Sequence, residues 1–376
     1  MNQNLSVSFD AKRAFLNKTG LGNYSRTTLQ ALNTYYPEVQ LNLFTPSISD
    51  IFTPSVAGKN NRIITPTFFW RMNKSIWRRM KIGKEAEKLN SQIFHGLSNE
   101  MPVFGKRKKI KTIVTIHDLI FLRYPQFYNT TDRKIYTAKV KQAISKSDCI
   151  MAISQRTKLD LIELLHADEQ KIKVVYQSIN SNLSSISGPS DFEKIKTKFK
   201  LPDNYILNVG TIEERKNVGV VVKALKEIDP DISLVIIGNK KAYFSELTQI
   251  IKQEKLEKRV VVLSNVNNDD LAIIYANAKV FVYPSLYEGF GLPVAEAMQF
   301  NIPVVSATGS CLEEVGDKAS LYANPKEPLE WAEKINLILK SETISDSMKN
   351  EARNQLEKFT AKNFADQLMQ TYQSLL

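Results

Sequence analysis

The sequence predicts an α/β protein built from two doubly wound parallel sheets. Short apolar segments alternate with helical segments along the whole chain, and such alternation indicates parallel strands joined by crossover helices. At 376 residues the chain is long enough for two domains, each with its own core. A segment rich in Ser, Asn, Gly and Pro interrupts the pattern between residues 178 and 190. We therefore predict one domain over residues 1–185 and a second over residues 186–359.

The composition is that of an ordinary soluble globular protein. Hydrophobic residues make up 43% of the chain and charged residues 24%. No apolar run approaches the roughly 18 residues of a membrane span, and the N-terminus lacks the apolar centre of a signal peptide. Cys149 and Cys311 have no metal-ligand spacing, so we expect neither a zinc site nor a disulfide framework. These features predict a cytoplasmic protein without a bound metal.

Positive charge is concentrated in the N-terminal half. Of the net charge of +12, residues 1–200 contribute +17 (32 Lys and Arg against 15 Asp and Glu) and residues 201–376 contribute −5 (19 against 24). Such asymmetry indicates an anionic partner for the first domain, either nucleic acid or an acidic membrane surface. No RNA- or DNA-binding motif accompanies the charge, so we expect no nucleic acid to bind.

The chain begins with a predicted strand from Leu5 to Phe9, followed by the sequence TGLGNYSR and a helical stretch to about Asn33. Gly20 and Gly22 thus lie at a strand-to-helix turn. A glycine-rich turn in this position can bring backbone N–H groups against a phosphate. Two glycines two residues apart also form an ordinary turn, and the pattern alone leaves both interpretations open.

A basic stretch with aromatic residues, from Trp70 to Lys84, accounts for part of the positive charge, and the run KRKKIK at residues 106–111 adds more. Four apolar side chains are interspersed with the cations of the first stretch: Trp70, Ile76, Trp77 and Met80. Rings at headgroup depth and cations over the lipid charge are what a helix on an anionic membrane needs. A solvated basic helix whose tryptophans pack on the domain explains the same pattern.

Histidines follow two predicted strands of the first domain. The short strand Thr112–Ile116 ends in His117 and Asp118, and a histidine at a strand's carboxyl end is placed to enter a ligand site. His117 paired with Asp118 is also typical of a structural histidine. His95 and Asn99 belong to the sequence HGLSNE, which follows the onset of another strand.

The second domain begins with a predicted strand over Tyr205–Val209, the sequence GTIEERKN and a helix over Val218–Ile228. Arg215 and Lys216 lie at this strand-to-helix turn. Two cations with free backbone N–H groups suit a diphosphate, which Arg can hold through two hydrogen bonds. The alternative is a set of surface ion pairs with the neighbouring glutamates, which would contribute little.

The stretch KVFVYPSLYEGFGLPVAEAMQFNIPVV, residues 279–305, carries the most specific pattern of the chain. It predicts a strand, a glycine-bearing loop, a short helix from Pro293 and a further strand. Glu288 lies in the loop and Glu296 lies one turn into the helix. Two carboxylates directed at one site can hold the hydroxyls of a polyol, with anion-binding amides between them. Taken singly, Glu296 could serve the helix dipole and Glu288 could be a solvated loop acid.

The spacing E-x7-E within YEGFGLPVAEAM resembles the donor-site signature of the retaining GT-B glycosyltransferases of family four, the glycosyl transferases group 1. The resemblance covers nearly the whole chain and is strongest from Ile206 to Glu314. It implies two Rossmann-like lobes facing a cleft, with the acceptor mostly on the first lobe and a nucleotide-sugar donor mostly on the second. It also implies that the last helix, residues 360–376, crosses back onto the first lobe.

The same resemblance implies roles for individual residues around the donor sugar. Glu296 would bind the ribose of the nucleotide, and Glu288 would contact the donor sugar. His117 would contact that sugar near the reacting carbon, and the backbone from Phe290 to Leu292, including Gly291, would lie beside it.

Further implied roles concern the phosphates, the base and the acceptor. Lys216 takes the family's phosphate-binding lysine position, whereas Thr211 stands where the family usually has an arginine. In this comparison Arg215 would supply that charge from a neighbouring position. Gly20, Gly22 and Val266 are the remaining donor residues that the resemblance implies, and His95 and Asn99 are those implied for the acceptor.

We therefore expect a retaining, metal-independent hexosyltransferase that uses a nucleotide diphosphate sugar and no other cofactor. Lys216 and Arg215 would stabilise the charge that develops on the leaving diphosphate. The patterns GLGNYS, HGLSNE and GTxxxRKN are similar to those of O-antigen mannosyltransferases, which favours GDP-mannose over a UDP-sugar. The expected acceptor is a saccharide or lipid-linked saccharide of a cell-surface polysaccharide such as lipopolysaccharide, met at the inner face of the cell membrane.

Two other classes of function remain open at this stage. A basic scaffold or nucleic-acid-binding protein without turnover would explain the charge of the first domain. A nucleotide-sugar epimerase of the same architecture would explain the donor-binding pattern, because fold analogy alone does not separate the two enzymes.

Overall fold

The computed structural model describes residues 5–52, 60–105, 108–179 and 189–376. The chain divides into two compact units, one formed by Met1–Ser178 with Phe359–Leu376 and the other by Ile179–Lys358. The domain boundary predicted at residues 185 and 186 and the first two residues of the KRKKIK run lie outside the described residues.

Each unit contains one sheet within the described residues. The strands of the first unit are β1 (Ser6–Asp10), β2 (Gln40–Phe44), β3 (Asn61–Ile64), β4 (Ile93–Gly96), β5 (Lys111–Ile116), β6 (Cys149–Ala152) and β7 (Ile172–Val174). The strands of the second unit are β8 (Tyr205–Val209), β9 (Ser233–Ile237), β10 (Val260–Leu263), β11 (Val280–Tyr283), β12 (Val304–Ala307) and β13 (Ser320–Ala323). Their orders are β3-β2-β1-β4-β5-β6-β7 and β10-β9-β8-β11-β12-β13.

Every pair of neighbouring strands in both sheets is parallel, which confirms the predicted fold class. The strand order reverses between β1 and β4 in the first sheet and between β8 and β11 in the second. In open α/β sheets, ligands bind outside the carboxyl ends of the strands at this switch point. The fold therefore marks the loops after β8 and β11, and those after β1 and β4, as the places to look for a site.

Helices connect the strands. Within the described residues they are α1 (Lys12–Leu16), α2 (Gly20–Tyr35), α3 (Lys74–Met80), α4 (Ile82–Lys88), α5 (Ile120–Arg123), α6 (Thr130–Lys146), α7 (Gln155–Leu165), α8 (Pro189–Phe199), α9 (Gly219–Ala224), α10 (Phe244–Gln253), α11 (Asn268–Ala276), α12 (Leu292–Gln299), α13 (Leu312–Gly316), α14 (Pro328–Lys340), α15 (Glu342–Leu356) and α16 (Ala361–Gln373). None of these helices has both the length and the apolar character needed to cross a bilayer.

The central strands are buried on both faces, as expected for parallel sheets covered by helices, whereas the edge strands β3 and β10 are more exposed. Phe9 of β1 and Phe94 of β4 are fully buried in the first unit, and Phe281 of β11 is fully buried in the second. Burial of such runs supplies most of the free energy that holds a domain together. The apolar strands thus form a rigid platform from which the loops at the carboxyl edge project.

The last helix of the chain, α16, belongs to the first unit and packs against α2. The Tyr36 hydroxyl donates a hydrogen bond to Asp366 Oδ1 at 2.7 Å. Tyr372 is fully buried, so the C-terminal segment contributes to the core of the first unit rather than to its surface.

Candidate functional site

The loops after β8 and β11 are joined at the switch point of the second sheet. The backbone N–H of Leu286 donates to the Arg215 carbonyl at 2.9 Å. The side-chain amide of Asn217 donates to the Pro284 carbonyl at 3.2 Å. Asn217 is itself in the left-handed conformation (φ 54°), which asparagine tolerates better than most residues, and it ends the short 3-10 turn Glu214–Lys216. These contacts hold the cationic turn beside the loop that carries Glu288.

A compact ion cluster lies where these loops meet. One carboxylate oxygen, Glu288 Oε1, is 2.5 Å from Lys216 Nζ and 3.0 Å from Arg215 Nη1. The same oxygen accepts hydrogen bonds from the Ser285 hydroxyl at 2.5 Å and from the Tyr283 hydroxyl at 3.2 Å. The Glu288 side chain is only 11% exposed. We call Arg215, Lys216 and Glu288 the ion cluster.

The charges of the ion cluster hold one another in place. Burial alone would raise the pKa of Glu288, but the Lys216 and Arg215 cations outweigh it and lower that pKa to about 2. Arg215 is fixed further by hydrogen bonds to the Tyr287 carbonyl at 2.6 Å and to Glu213 Oε1 at 2.7 Å. Glu288 is therefore ionised at neutral pH, with the Lys216 and Arg215 side chains arranged around it.

Glu296 lies in α12 in an environment of the opposite kind. Burial raises its pKa to about 7, and a hydrogen bond from the Tyr275 hydroxyl, 3.4 Å from Oε2, lowers it only in part. The Tyr275 ring stacks on Phe300 with 5.1 Å between centroids, so the hydroxyl has a fixed position. Within the part of the chain that the structure describes, no cation offsets the desolvation of Glu296 as Lys216 does for Glu288, and this explains the different pKa values.

Tyr283 connects the two carboxylates. Its hydroxyl is 2.7 Å from Lys216 Nζ, and its ring lies 5.0 Å from the same nitrogen. Burial raises the pKa of Tyr283 well above its usual value, and the charges of both Glu288 and Glu296 raise it further. The hydroxyl is therefore within electrostatic reach of both acids, which places them around one region of the second unit.

The start of α12 requires a glycine. Gly291, the residue before the helix, has φ 107°, and a side-chain carbon there would lie 2.6 Å from Leu312 Cδ2. The helix begins at Leu292, one residue before the predicted start at Pro293. Phe290 is buried, so only its backbone is in a position to meet a ligand. Cys311 Sγ lies 3.0 Å from the Phe290 carbonyl oxygen and helps to fix this backbone.

Thr211 and Val266 lie at the same edge of the sheet but outside the ion cluster. Thr211 follows β8 and is half-buried, and the next residue, Ile212, is bridged to Lys240 in the loop after β9. Val266 is half-buried in the loop after β10, three strands from β11. The loop after β10 is two strands from the loop after β8 that carries the two cations, and a contact of Val266 with the base stays a prediction.

His95 requires a correction. It is fully buried, with Nδ1 2.8 Å from the Tyr372 hydroxyl and Nε2 2.8 Å from the Thr115 hydroxyl. Burial lowers its pKa to about 3. Because both ring nitrogens are already hydrogen bonded inside the first unit, His95 has no polar atom left for an acceptor. Its contribution is to join β4, β5 and α16.

His117 and Asn99 lie together after β5 and β4. The Asn99 side-chain oxygen accepts from the His117 backbone N–H at 2.9 Å, and His117 Nε2 donates to the Leu97 carbonyl at 2.8 Å. This donation leaves Nδ1 as the ring atom that can accept a proton or hydrogen bond. Burial lowers the pKa of His117 to about 4, so the ring is neutral at neutral pH. Asn99 thus positions His117, and a direct contact of Asn99 with the acceptor stays a prediction.

Gly20 and Gly22 lie in the first turn of α2 rather than in a turn directly after β1, because the short helix α1 intervenes. Gly20 is exposed, with open space around a hypothetical side chain. A side-chain carbon at Gly22 would lie 1.8 Å from the Asn17 carbonyl oxygen, so packing against the preceding loop is enough to require that glycine.

The two tryptophans predicted to lie at lipid-headgroup depth are also placed differently. Trp77 is 1% exposed, and its indole N–H donates to Glu85 Oε1 at 3.2 Å. Trp70 packs against the core, with Lys81 Nζ 5.0 Å from its ring. Both rings serve the interior of the first unit, as in the alternative interpretation, because α3 turns this face inward.

An ion network at the switch point of the first sheet was not predicted. Arg78 of α3 lies between Asp10, at the end of β1, and Glu100, after β4. Its Nε is 2.5 Å from Asp10 Oδ2, and Lys139 Nζ is 2.9 Å from Glu100 Oε1. Burial would raise the pKa of Glu100, but Arg78 and Lys139 together lower it. The signals in the sequence were Asp10, which follows the predicted first strand, and Glu100, which ends the sequence HGLSNE.

Sequence analysis also missed Tyr283 and Tyr275 as supports of the acid pair. The signal for Tyr283 was a hydroxyl-bearing ring at the last position of the apolar strand VFVY, directly before the loop that carries Glu288. Tyr275 could not be found in this way, because its contact with Glu296 depends on how α11 packs. Among the described residues there is no group of three or more His, Cys, Asp or Glu side chains arranged to hold a metal ion.

Comparisons with known proteins agree with this geometry. The sequence profile of the glycosyl transferases group 1 matches residues 189–355. That of the Glycosyltransferase Family 4 matches residues 19–183. Together the two profiles account for most of each unit, and the first includes the whole ion cluster and Glu296.

Two relatives are 27% and 29% identical to the chain over the residues that align. The O-antigen chain mannosyltransferase RfbU of Salmonella typhimurium is 29% identical over 225 residues, which is 60% of this chain and 60% of that protein. The chain thus aligns with less than two thirds of the length of this curated relative. The O-antigen chain mannosyltransferase B of Escherichia coli is 27% identical over 289 residues, covering 75% of this chain and 74% of that protein.

Among solved structures, Anabaena Alr3699/HepE in complex with UDP has a similar fold. It superposes with a TM-score of 0.73 at 17% identity, covering 99% of this chain and 100% of that chain. At this level of identity the likeness concerns the arrangement of strands and helices alone.

Proposed function

Because the chain belongs to the glycosyl transferases group 1, we propose that it transfers a hexose, with retention of configuration, from a nucleotide diphosphate sugar to a lipid-linked saccharide in cell-surface polysaccharide synthesis. The observation that carries the proposal is the ion cluster, in which one buried carboxylate holds two cations at a topological switch point. We place the donor on the second unit and assign acceptor binding to the first.

The two cations of the ion cluster suit the diphosphate of the donor. Lys216 and Arg215 are held by Glu288 in the ligand-free protein, and an arriving diphosphate offers them stronger, charge-assisted hydrogen bonds. As the bond between the sugar and the phosphate breaks, negative charge grows on the leaving diphosphate. Cations that are already in place stabilise this charge without reorganisation, which is the main catalytic contribution we assign to them. Glu288 then remains free to accept a hydrogen bond from a hydroxyl of the donor sugar.

Glu296 is suited to the ribose of the nucleotide. It sits in a buried position that disfavours its charged form, and ribose hydroxyls would donate hydrogen bonds that favour that form. The backbone from Phe290 to Leu292 leads from Glu288 to the start of α12, where the positive end of the helix dipole would favour an anion. The remaining donor contacts, Thr211 and Val266, would lie towards the phosphates and the base.

We propose mannose from GDP-mannose as the transferred sugar, with a UDP-sugar as the alternative. The support for mannose is that two relatives are named as O-antigen chain mannosyltransferases. The support for uridine is the similar fold of a protein solved with UDP.

In the reaction the acceptor hydroxyl forms the new bond to the sugar carbon, its proton passes to the leaving phosphate, and the sugar–phosphate bond breaks. His117 would contact the sugar through Nδ1. An O-antigen type acceptor carried on lipid would place the protein at the cytoplasmic face of the membrane.

The donor assignment is tested by calorimetric titration of the purified chain with GDP-mannose, UDP-glucose and the free diphosphates. Wild-type protein should bind one of the two sugar nucleotides, and Glu296→Ala should weaken that binding by about tenfold or more through loss of hydrogen bonds to a charged group. Glu333→Ala, which removes an exposed glutamate of α14, is the matched control and should bind as the wild type does.

The reaction is tested by incubation with the bound donor and a polyprenyl diphosphate saccharide, with the anomeric configuration of the product read by NMR. A product of retained configuration supports the proposal, and a product of inverted configuration contradicts it. Conversion of the sugar nucleotide without acceptor would favour an epimerase instead. Salt-dependent binding of DNA or RNA, with no affinity for any sugar nucleotide, would favour the scaffold.

A further inference from the structure

Five large apolar side chains around α3 are exposed to solvent. The exposed fractions are 79% for Phe68, 88% for Phe69, 93% for Met72, 51% for Ile76 and 46% for Met80. Ile76 and Met80 are four residues apart on α3 and therefore share one face of that helix, and Met72 lies in the turn just before it. The two phenylalanines belong to the 3-10 turn Phe68–Trp70 that precedes α3. We call these five side chains the apolar stripe.

The opposite face of α3 is fixed to the first unit, which is why the apolar stripe faces outward. Trp77 is buried in the core. Arg78 is paired with Asp10 and Glu100 at the carboxyl edge of the sheet. The Arg79 carbonyl accepts a hydrogen bond from the backbone N–H of Val103 at 2.8 Å. Rotation of the helix to bury the apolar stripe would break all of these contacts at once.

The turn before α3 is held in the same manner. Trp70 packs against the core, and Lys81 lies over its ring. The adjacent rings of Phe68 and Phe69 contact each other edge to face, with 6.3 Å between centroids, while both remain more than three quarters exposed. The turn thus presents two aromatic rings beside the methionine and isoleucine face.

The segment of the sequence that carries the apolar stripe contains basic residues but no acids. Residues 61–84 contain seven Lys and Arg residues and no Asp or Glu. Arg71, Lys74 and Arg79 are exposed and lie among the members of the stripe in the sequence. A surface that combines apolar side chains with cations is complementary to a bilayer of anionic lipid, which offers both hydrocarbon and negative headgroups.

We propose that the apolar stripe inserts into an anionic membrane surface, with Arg71, Lys74 and Arg79 over the lipid headgroups. The proposal rests on the proposed function, since a lipid-linked acceptor requires the protein to work at a membrane. It differs from the sequence-based hypothesis in the inserted residues, which are Phe68, Phe69 and the aliphatic face of α3 rather than the tryptophans. The absence of acids over residues 61–84 favours lipid over a protein partner, because most protein surfaces offer both signs of charge.

The apolar part of the stripe is tested by co-sedimentation with vesicles of phosphatidylcholine that contain about a third phosphatidylglycerol. The double variant Phe68→Ser/Phe69→Ser should bind these vesicles at least about tenfold more weakly than the wild type, since two buried rings are lost. The control is Leu329→Ser, which removes a 65% exposed leucine next to Glu330 in the second unit and should leave binding unchanged. Equal loss in both variants, or no loss in the first, would overturn the proposal.

The cationic part is tested with the same vesicles and with vesicles of phosphatidylcholine alone. The triple variant Arg71→Gln/Lys74→Gln/Arg79→Gln should lose at least about tenfold in affinity, whereas Lys223→Gln on α9 should not. Raising the salt concentration from about 0.1 M to about 1 M should release most of the wild-type protein, because the screening length falls from about 10 Å to about 3 Å. Equal binding to neutral vesicles at every salt concentration would contradict a role for the cations.

A direct measure of insertion is an environment-sensitive fluorophore on Met72→Cys, with Leu329→Cys as the control position. Both native cysteines are buried, so the introduced thiol is the reactive one. Emission from position 72 should shift to shorter wavelength with anionic vesicles, and emission from position 329 should not. A shift at both positions, or at neither, would overturn the proposal, as would a concentration-dependent dimer without lipid that Phe68→Ser/Phe69→Ser abolishes.

This test is separable from that of the proposed function. Vesicle binding requires no turnover, so a chain that binds anionic vesicles through the apolar stripe but binds no sugar nucleotide would leave this inference standing and remove the transferase. A chain that transfers sugar to a soluble acceptor analogue but does not bind vesicles would support the transferase and remove this inference. The Phe68→Ser/Phe69→Ser variant should keep wild-type affinity for the donor nucleotide.

Discussion

The switch points of the two sheets carry ion clusters of opposite design. In the second unit, one acid, Glu288, lies between two cations. In the first unit, one cation, Arg78, lies between two acids, Asp10 and Glu100. The topology of the strands is the same in both places, with the strand order reversing across the cluster. The same topology therefore supports two different electrostatic environments, and the difference lies in the charged residues that the strand ends, the loops and α3 supply.

The difference in charge between the two clusters indicates which unit is suited to bind an anion. When a diphosphate replaces Glu288 as the partner of the two cations, its negative charge balances their positive charges and the site gains a ligand. No anion can replace the partners of Arg78 in this manner without leaving two acids unpaired. The first cluster is therefore structural, holding α3 to the sheet, whereas the second is suited to binding.

The largest effect that we expect is that of Arg78→Met, which removes the cation of the cluster in the first unit. Asp10 and Glu100 would lose their common cation in a position where both are largely buried, so we expect the free energy of unfolding to fall by about 2–4 kcal/mol. Differential scanning calorimetry measures this loss. Lys139→Met removes an exposed partner of Glu100 and should cost less than about 1 kcal/mol. Equal effects of the two variants would show that the Arg78 network has no special role.

On the second side, Lys216→Met should affect turnover more than stability. Glu288 keeps Arg215 as a partner, so the fold should persist, but one of the two cations facing the leaving diphosphate is lost. We expect kcat to fall by about 10²- to 10³-fold, the usual effect of removing one preorganised electrostatic contact. The control Lys223→Met removes an exposed lysine of the neighbouring helix. Wild-type turnover of Lys216→Met would remove the ion cluster from the mechanism.

The two glutamates of the second unit should affect the pH dependence of stability in opposite directions. The pKa of Glu288 is lowered to about 2, so it stabilises the fold above its usual value of 4.5, and this stability is lost as the pH falls below that value. The pKa of Glu296 is raised to about 7, so it favours the fold when protonated, and stability is lost as the pH rises from 4.5 to 7. The two acids therefore oppose each other in the stability of the ligand-free unit.

The pH dependence of donor affinity should follow the ionisation of Glu296 alone. If ribose hydroxyls bind its charged form, affinity for the sugar nucleotide should fall about tenfold between pH 8 and pH 6, as expected for a group with a pKa of about 7. Calorimetric titration across this range measures the effect, and Glu296→Gln should remove the pH dependence. His95 and His117 do not titrate in this range, because burial lowers their pKa values to about 3 and 4. A pH-independent wild-type affinity would contradict the ribose assignment.

The smallest expected effect concerns Tyr283, which supports the ion cluster without touching a ligand in our proposal. Tyr283→Phe removes the hydroxyl 2.7 Å from Lys216 Nζ, and we expect a loss of about 1 kcal/mol in transition-state stabilisation, seen as a fall of about fivefold in kcat/KM. Tyr205→Phe is the matched control, since it removes a buried hydroxyl from the same sheet, one that donates to the Ile274 carbonyl at 2.7 Å. Equal kinetic losses would show that Tyr283 acts through the fold alone.

Much of the second unit's site was predictable because its signals are local. The glycine-bearing loop, the acid pair and the cationic turn are each readable within a dozen residues, and their placement at the ends of strands follows from the alternation of strands and helices. Predictions for the first unit were less successful. Burial decides whether a histidine or tryptophan meets a ligand, and burial depends on segments far away in the chain. His95, for example, is held by Tyr372, which lies 277 residues further on.

By itself the sequence determined the α/β class, the doubly wound sheets and the family, because hydrophobic periodicity and short motifs depend on neighbouring residues. The tertiary structure alone decided which charges meet: Lys216 and Glu288, 72 residues apart, are joined only because β8 and β11 are adjacent in the sheet. It also decided that Glu288 and Glu296 have opposite pKa shifts and that α3 turns its tryptophan inward. The physical reason is that desolvation and Coulomb interactions depend on distances in space, which local sequence patterns do not specify.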